Sequence, residues 1–419
     1  MNTTADRRRS LNSRERVLAS LAHKEPDRVP LDMGGGAATG LVGHAHGKLL
    51  RYLGLEGDTK IWFPYVQWCI VDPRILDRFD IDCINVVPMP ERWREGAFSD
   101  GMPFLEPESF NTREEPDGSR LDIYEGIPVG RMPPDGLWFD PIYFPLADAG
   151  TEDLDGFSWM APASFYRVPD TTRLDEMVTG VEETARYWYE NSDKALVGFA
   201  GASIYETAQG LRGFEQLFID FVQNRKFVDK LLDTIADANV EYAKRYCEAI
   251  ADYAQVIVVG GEDIGAQGSL QIRPELYREM VMPRIKRLWQ TFKQNTDAYL
   301  FVHSCGYIEP VIEDFIDAGI DIINPVQIGA GMDATQLKER YGGRVTFWGG
   351  GSDTQHLLPH GSTEEVRAQV RERIGTFAPG GGYVFAAEQT IQTEVPPENI
   401  VAMYNAASEF GKYPIARCP

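Results

Sequence analysis

The chain has 419 residues, of which 25% are charged and 43% hydrophobic, an ordinary globular balance that excludes a collagen-like, coiled-coil or wholly disordered protein. That length equals two or three average domains of about 150 residues, yet barrels of about 250 residues and more fold as single domains. With 41 basic and 63 acidic residues the formal net charge is −22, which repels phosphate backbones and anionic lipids and excludes nucleic acid and membranes as main partners.

Taken in chain order, MNTTADRRRSLNSRER carries charge with no apolar stretch behind it, so residues 1–12 read as a loose tail rather than a secretion signal. The helix RERVLASLAHK follows, with Asn12 or Ser13 as its cap. Short apolar runs then alternate with amphipathic stretches: 28–33 (RVPLDM), 82–87 (DCINVV), 195–199 (ALVGF), 256–260 (VIVVG), 298–303 (AYLFVH), 320–325 (IDIINP), 345–349 (VTFWG) and 383–388 (YVFAAE). Eight such runs, nearly continuous in apolar residues, predict an α/β protein whose parallel strands are buried on both faces. The fold expected is a (β/α)8 TIM barrel forming one domain over 13–419. Between the second and third runs, residues 89–161 are rich in Pro, Gly, Asp and aromatics, and are expected to form an irregular insertion of loops and short antiparallel strands capping the barrel. Helices are expected within 174–189, across 214–235 and on to 254. Two more should start at Thr363 (TEEVRAQVRERI) and at Pro396-Pro397, where the missing proline N–H groups cost nothing.

Cys69, Cys83, Cys247, Cys305 and Cys418 are odd in number and irregularly spaced, unlike a secreted disulfide framework, so a reducing, cytoplasmic setting is expected. The longest uncharged stretches, such as 33–47 (MGGGAATGLVGHAHG), are glycine-rich and shorter than the roughly 18 apolar residues of a membrane helix.

In a barrel of this kind the site lies at the C-terminal ends of the strands, and those ends are polar here. Asp32 closes the first run, Glu262 and Asp263 the fourth, His303 and Cys305 the fifth, Asn324 and Gln327 the sixth, Asp353 and Gln355 the seventh, and Glu388 and Gln389 the eighth. His303-x-Cys305 is the sharpest feature. Two residues apart on an extended strand, the imidazole and thiol project to one side and suit a shared zinc ion, with Glu262 or Glu388 as the oxygen ligand. The plainer alternative is a buried thiol beside a hydrogen-bonded histidine. Glu262, Asp263 and Asp353 are the candidate acid/base groups, although an aspartate at the position of Asp263 more often caps a helix. Asp32, Asn324, Gln327, Gln355 and Gln389 are the candidate substrate contacts. The glycine runs 34–36 and 349–351 match no nucleotide-binding motif and read as turns. His44 and His46 are expected on the surface. Trp62, Phe63, Tyr65 and Trp68 form either core or the wall of a pocket for an aromatic substrate.

Three stretches, HSCGYIEPVIEDFIDAGIDIINPVQ, TFWGGGSDTQHLLPHGSTEEV and GGGYVFAAEQTIQTEVPPENI, together with RERVLASLAHKEPDRVPLD and DIGAQGSLQIRPELYREMVMPRIKRL, resemble the uroporphyrinogen decarboxylase superfamily over nearly the whole chain. The resemblance implies a (β/α)8 barrel with one of two chemistries: cofactor-free decarboxylation of uroporphyrinogen, or zinc-assisted methyl transfer involving corrinoid proteins. The decarboxylase branch carries an arginine-rich RQAGRY-type segment where this chain has VPLDMGGGAATG, a late histidine where it has Gln389, and a central aspartate unmatched near INVVP. The methyltransferase branch carries H-x-C, matched by His303 and Cys305, which the resemblance implies are zinc ligands. Its later cysteine also falls at Gln389, leaving Glu388 or Glu262 to complete the site. No DxHxxG corrinoid motif occurs, so a cobalamin would ride on a separate protein docked over the barrel mouth. The resemblance thus implies a methyltransferase or demethylase component acting on a small methylated substrate, methoxylated aromatics included, oriented by Asn324, Gln327 and Asp353. A metal-free decarboxylase of a porphyrinogen-like or other carboxylate, and a non-catalytic scaffold barrel, are the alternatives; the acidic charge is compatible with a homodimer.

Overall fold

The computed structural model describes residues 10–36, 38–134, 136–155 and 168–417. At its centre seven parallel strands lie side by side in chain order: β1 (Cys83–Val86), β2 (Ala195–Phe199), β3 (Val256–Gly261), β4 (Tyr299–His303), β5 (Ile322–Asn324), β6 (Thr346–Trp348) and β7 (Tyr383–Val384). Strands that follow one another without reversal, each reached through helical crossovers, wind as a barrel; a doubly wound sheet would reverse its order midway. Val197, Val258, Phe301, Ile322 and Trp348 meet in one buried inner cluster, while the alternate residues face the helices.

The run 28–33 is a correction to the expected first of eight strands. It is an extended bridge: Phe385 N donates to Pro30 O (2.9 Å), Asp32 N to Phe385 O (2.9 Å), and Asp82 N to Leu31 O (2.8 Å). It thereby joins the end of β7 to the start of β1 and completes the TIM-barrel-type fold. Pro30 has no N–H to offer a ladder, which confines the pairing to these few bonds. The buried Asp82 carboxylate locks the joint, accepting from Leu31 N and from the guanidinium groups of Arg16 and Arg28.

Helix Ser13–Leu21 lies under the barrel. Asn12 caps it through a reciprocal bond with Glu15, and Val17 and Leu21 enter the inner cluster. Ser362 and Glu365 make the same capping box on Thr363–Phe377, and Pro397 opens the last helix, Pro397–Phe410. The expected helix across 214–235 is broken at Asn224 into Phe214–Gln223 and Arg225–Ile250.

Two four-stranded sheets make the cap. Thr112–Glu114, Arg120–Tyr124, Ile127–Met132 and Asp140–Pro141 form an antiparallel meander. Trp93–Ala97 and Pro103–Pro107 are joined by a hairpin from ahead of β1, Lys60–Phe63 and Trp68–Ile70, through a parallel pairing of Lys60 with Leu105. Residues 156–161 of the expected insertion, like the tail up to residue 9 and Cys418, lie outside the described residues. Among the described residues no helix is long and apolar enough to cross a membrane.

Candidate active site

The strand register brings the polar ends together. Gly261 at the end of β3 pairs with His303 at the end of β4, and His303 pairs with Asn324 at the end of β5. The chain beyond stays anchored: Glu262 N donates to His303 O (2.8 Å) and Ser304 Oγ to Glu262 O (2.6 Å). After Cys305 the backbone turns at Gly306, with φ +82°. A Cβ at Gly306 would stand 2.6 Å from the carbonyl carbon of Gly265, so glycine is required there for both conformation and space.

His303 is aimed by Asn324. The Asn324 amide donates to Trp348 O (2.8 Å), which turns its Oδ1 toward His303 Nδ1 at 2.6 Å. Nδ1 therefore carries the proton and the Nε2 lone pair faces the site, an outer contact of the kind that sets the tautomer of metal-binding histidines. Nε2 lies 3.1 Å from Cys305 Sγ and 3.9 Å from Asp263 Oδ1. One ligand atom each from Asp263, His303 and Cys305 fall within 4.8 Å of one another. Asp263 Oδ1 also accepts the Cys305 N–H (2.6 Å), and the Gln389 amide donates to Cys305 Sγ (2.9 Å). Burial, reinforced by the negative charges of Asp263 and Glu206, pushes the Cys305 thiol far above its ordinary range.

Two further acids, Glu262 and Glu206, lie beside this cluster in a crossed arrangement. The fully buried Glu262 carboxylate accepts from Ile204 N (2.8 Å) and Tyr205 N (2.9 Å), capping helix Tyr205–Arg212 from another strand; burial pushes its pKa up to about 8 against those two bonds. Glu206 on that helix returns the contact, accepting from Asp263 N at 2.8 Å. Burial, then the charges of Asp263 and Glu262, hold the Glu206 carboxyl well above the carboxylate range. Helix capping, expected of Asp263, thus falls to Glu262, and Asp263 supplies the oxygen beside His303 and Cys305.

Glu388 is the clearest correction. It lies outside the three-ligand cluster, 2% exposed, with its carboxylate over the backbone of Ile328 and Gly329 and its pKa pushed up to about 7, chiefly by burial. Gln389, next in the chain, is the one directed at Cys305. The other expected substrate contacts also do structural work. Asp32 is fully buried and accepts from Gly35 N (2.7 Å), Gly36 N (3.1 Å) and Trp348 Nε1 (2.8 Å). Gln327 holds Gly306 N (2.9 Å), and Asp353 accepts from Gln355 N and His356 N while Gln355 is exposed.

Asp263, His303, Cys305, Gln389 and Glu206 line a cavity of about 430 Å³ at the strand ends. Its upper wall is aromatic: Phe63 and Trp68 from the hairpin, Trp138 from the cap and Phe199 from β2. Among the described residues no lysine or arginine lines it. Of the aromatic run, Tyr65 instead packs on Phe139, and Trp62 faces a second cavity. His46 is not at the surface but fully buried, its Nδ1 3.1 Å from Thr59 Oγ1 and its Nε2 accepting Asp72 N; the Nε2 of His44 contacts Asp100. Sequence reasoning missed Glu206. The signal was available in the run 195–199, whose following segment GASIYE carries an acid into the first turn of the next helix.

The family model for uroporphyrinogen decarboxylase (URO-D) matches residues 160–410, more than half of the chain. The uroporphyrinogen decarboxylase of Methylococcus capsulatus is 24% identical over 220 residues, covering 51% of this chain and 59% of that protein. The one from Thioalkalivibrio sulfidiphilus is 28% identical over 188 residues, covering 43% and 48%. The chain therefore spans about half the length of these curated relatives. Among solved structures, a methyltransferase from Methanosarcina mazei superposes with a TM-score of 0.60 at 17% identity, covering 96% of this chain and 99% of that one, and so shares the fold. On the family match, the shared fold and the strand-end architecture, the chain belongs to the uroporphyrinogen decarboxylase family.

Proposed function

We propose that the protein is a zinc-assisted methyltransferase or demethylase component of this family, moving a methyl group between a small methylated compound and a corrinoid on a separate carrier protein. The observation that carries this reading is the convergence of Asp263, His303 and Cys305 on one point of the cavity floor. One nitrogen, one sulfur and one oxygen suit zinc, and three protein ligands leave a position open for substrate. Bound there, zinc supplies Lewis acidity that keeps a substrate heteroatom anionic at neutral pH.

The chain's own groups do the rest. Asn324 holds the Nε2 lone pair of His303 on the site, and Gln389 hydrogen-bonds the Cys305 sulfur. Glu206, on the cavity wall, is placed to take or return the proton of the substrate heteroatom. Phe63, Trp68, Trp138 and Phe199 receive an apolar body, including a methoxylated aromatic ring, and exclude water.

A metal-free decarboxylase is the second reading, favoured by the activity for which the curated relatives are named. A cavity with acids on its floor and, among the described residues, no cation on its walls is a poor receptor for a polycarboxylate. The deciding experiment is elemental analysis of anaerobically purified protein beside Cys305→Ala, with methyl transfer from candidate substrates to added cobalamin. About one zinc per chain, lost with activity in a folded variant, supports methyl transfer; full metal content in Cys305→Ala refutes this ligand set.

A further inference from the structure

The cavity at the strand ends pairs an aromatic wall with an acidic floor, a combination that bears on the charge of its ligand. The Trp68 ring lies 5.5 Å from that of Phe63 and 6.3 Å from that of Phe199, which it meets at 87°. Trp138, 47% exposed, adds a fourth ring at the rim. Aromatic faces are negative, and a cation within about 6 Å of a ring centroid is attracted to them.

Glu206 is the acid of the floor that the metal cluster does not use. It is 7% exposed; its Oε1 accepts Asp263 N at 2.8 Å, and its Oε2 has no hydrogen-bond donor among the described residues. A Cβ at Gly261 would stand 2.9 Å from both of these oxygens, so glycine keeps the space over them clear. Among the described residues no lysine or arginine lines the cavity to balance this carboxyl, and the chain as a whole, at net charge −22, draws cations in. A cation beside a buried carboxyl favours its ionised form and so opposes the effect of burial. Zinc held by the Cys305 thiolate and the Asp263 carboxylate carries no net formal charge, and does not oppose a cation.

We propose that the substrate is a small methylated ammonium cation, its head against Phe63, Trp68 and Phe199 with the Glu206 carboxyl beside it. A neutral methoxylated ring gains the wall but leaves Glu206 uncompensated, and an anion meets like charge on the floor. This names the substrate class within the methyl-transfer reading and rests on that reading for the reaction; binding of the cation needs neither metal nor corrinoid.

The probes are choline and 3,3-dimethylbutan-1-ol, its uncharged isostere with carbon in place of nitrogen, titrated by calorimetry into zinc-loaded and chelator-treated protein. Choline should bind about tenfold tighter than the isostere in both. Glu206→Gln should bring choline down toward the isostere, and Trp68→Leu should weaken choline about two- to thirtyfold, more than it weakens the isostere. Equal affinity for the two probes in the parent protein, no binding of choline, or a preference that survives both substitutions overturns the inference, and the first two need no variant to fold. A preference for choline in a protein that takes up no zinc upholds the inference while removing the metal reading. Methyl transfer to cobalamin from a neutral methoxyarene, with no preference for choline, does the reverse.

Discussion

Replacing Asn324 by alanine tests whether the site is built for a metal, because this side chain touches the cluster only through His303. Two bonds disappear: Oδ1 to His303 Nδ1 at 2.6 Å and Nδ2 to Trp348 O at 2.8 Å. Trp348 is fully buried, so its orphaned carbonyl costs about 1–3 kcal/mol of stability. His303 Nδ1 loses the acceptor that fixes its tautomer, and outer-contact losses of this type weaken metal binding about 10- to 100-fold, or about 1.4–2.7 kcal/mol. Zinc affinity would be read by competition with a chromophoric chelator, and apo stability by denaturant unfolding. The expected result is weaker zinc binding in a protein that still folds. A variant that loses stability yet binds zinc within about twofold of the parent would refute the argument that Asn324 presents His303 to a metal.

Other outcomes follow from the same geometry. Asp263→Asn should lower zinc affinity by more than Glu388→Gln or Glu262→Gln in the same chelator assay, since only Asp263 shares the cluster; equal losses would remove Asp263 from the ligand set. Glu388 titrates at about 7 when folded against 4.5 for the free side chain. Because the folded pKa is raised, its contribution is fully present below pH 4.5 and lost as pH rises through 7, by about 3 kcal/mol. Glu388→Gln should flatten that decline in unfolding curves collected across the pH series. Gly306→Ala forces a side chain into φ +82° and against the backbone of Gly265 and Ala266. It should cost about 2–4 kcal/mol and release the metal, whereas a stable, metal-replete variant would show that the turn is dispensable.

Much of the fold was legible because its signals are local. Apolar runs of β-branched and aromatic residues mark seven of the strands, and the Asn12 cap and the acidic first turn after Thr363 mark two helix starts. The H-x-C spacing was legible for the same reason: period two on an extended backbone puts both side chains on one side whatever surrounds them. The run 28–33 looked like the first of eight strands because its composition is that of a strand; the missing N–H of Pro30 and its place between two strand ends reduced it to a bridge.

The partner of His303 and Cys305 was a different kind of question. Glu262, Asp263, Glu388 and Gln389 are two adjacent pairs at strand ends, and the sequence marks all four as candidates but not which one meets the histidine and cysteine. That choice comes from the register of β3 against β4 and from helix Tyr205–Arg212, whose N-terminus draws in Glu262 and leaves Asp263 to the cavity. Asp32 likewise sits at a strand end by sequence, yet the fold brings the Gly35 and Gly36 amides and the Trp348 indole onto it and buries it. Strand positions and the spacing of the histidine and cysteine thus follow from the chain itself. Which carboxylate meets them rests on contacts between residues about 40 to 60 positions apart, such as Asp263 with Cys305 and Glu262 with Ile204, and only the closed barrel brings those together.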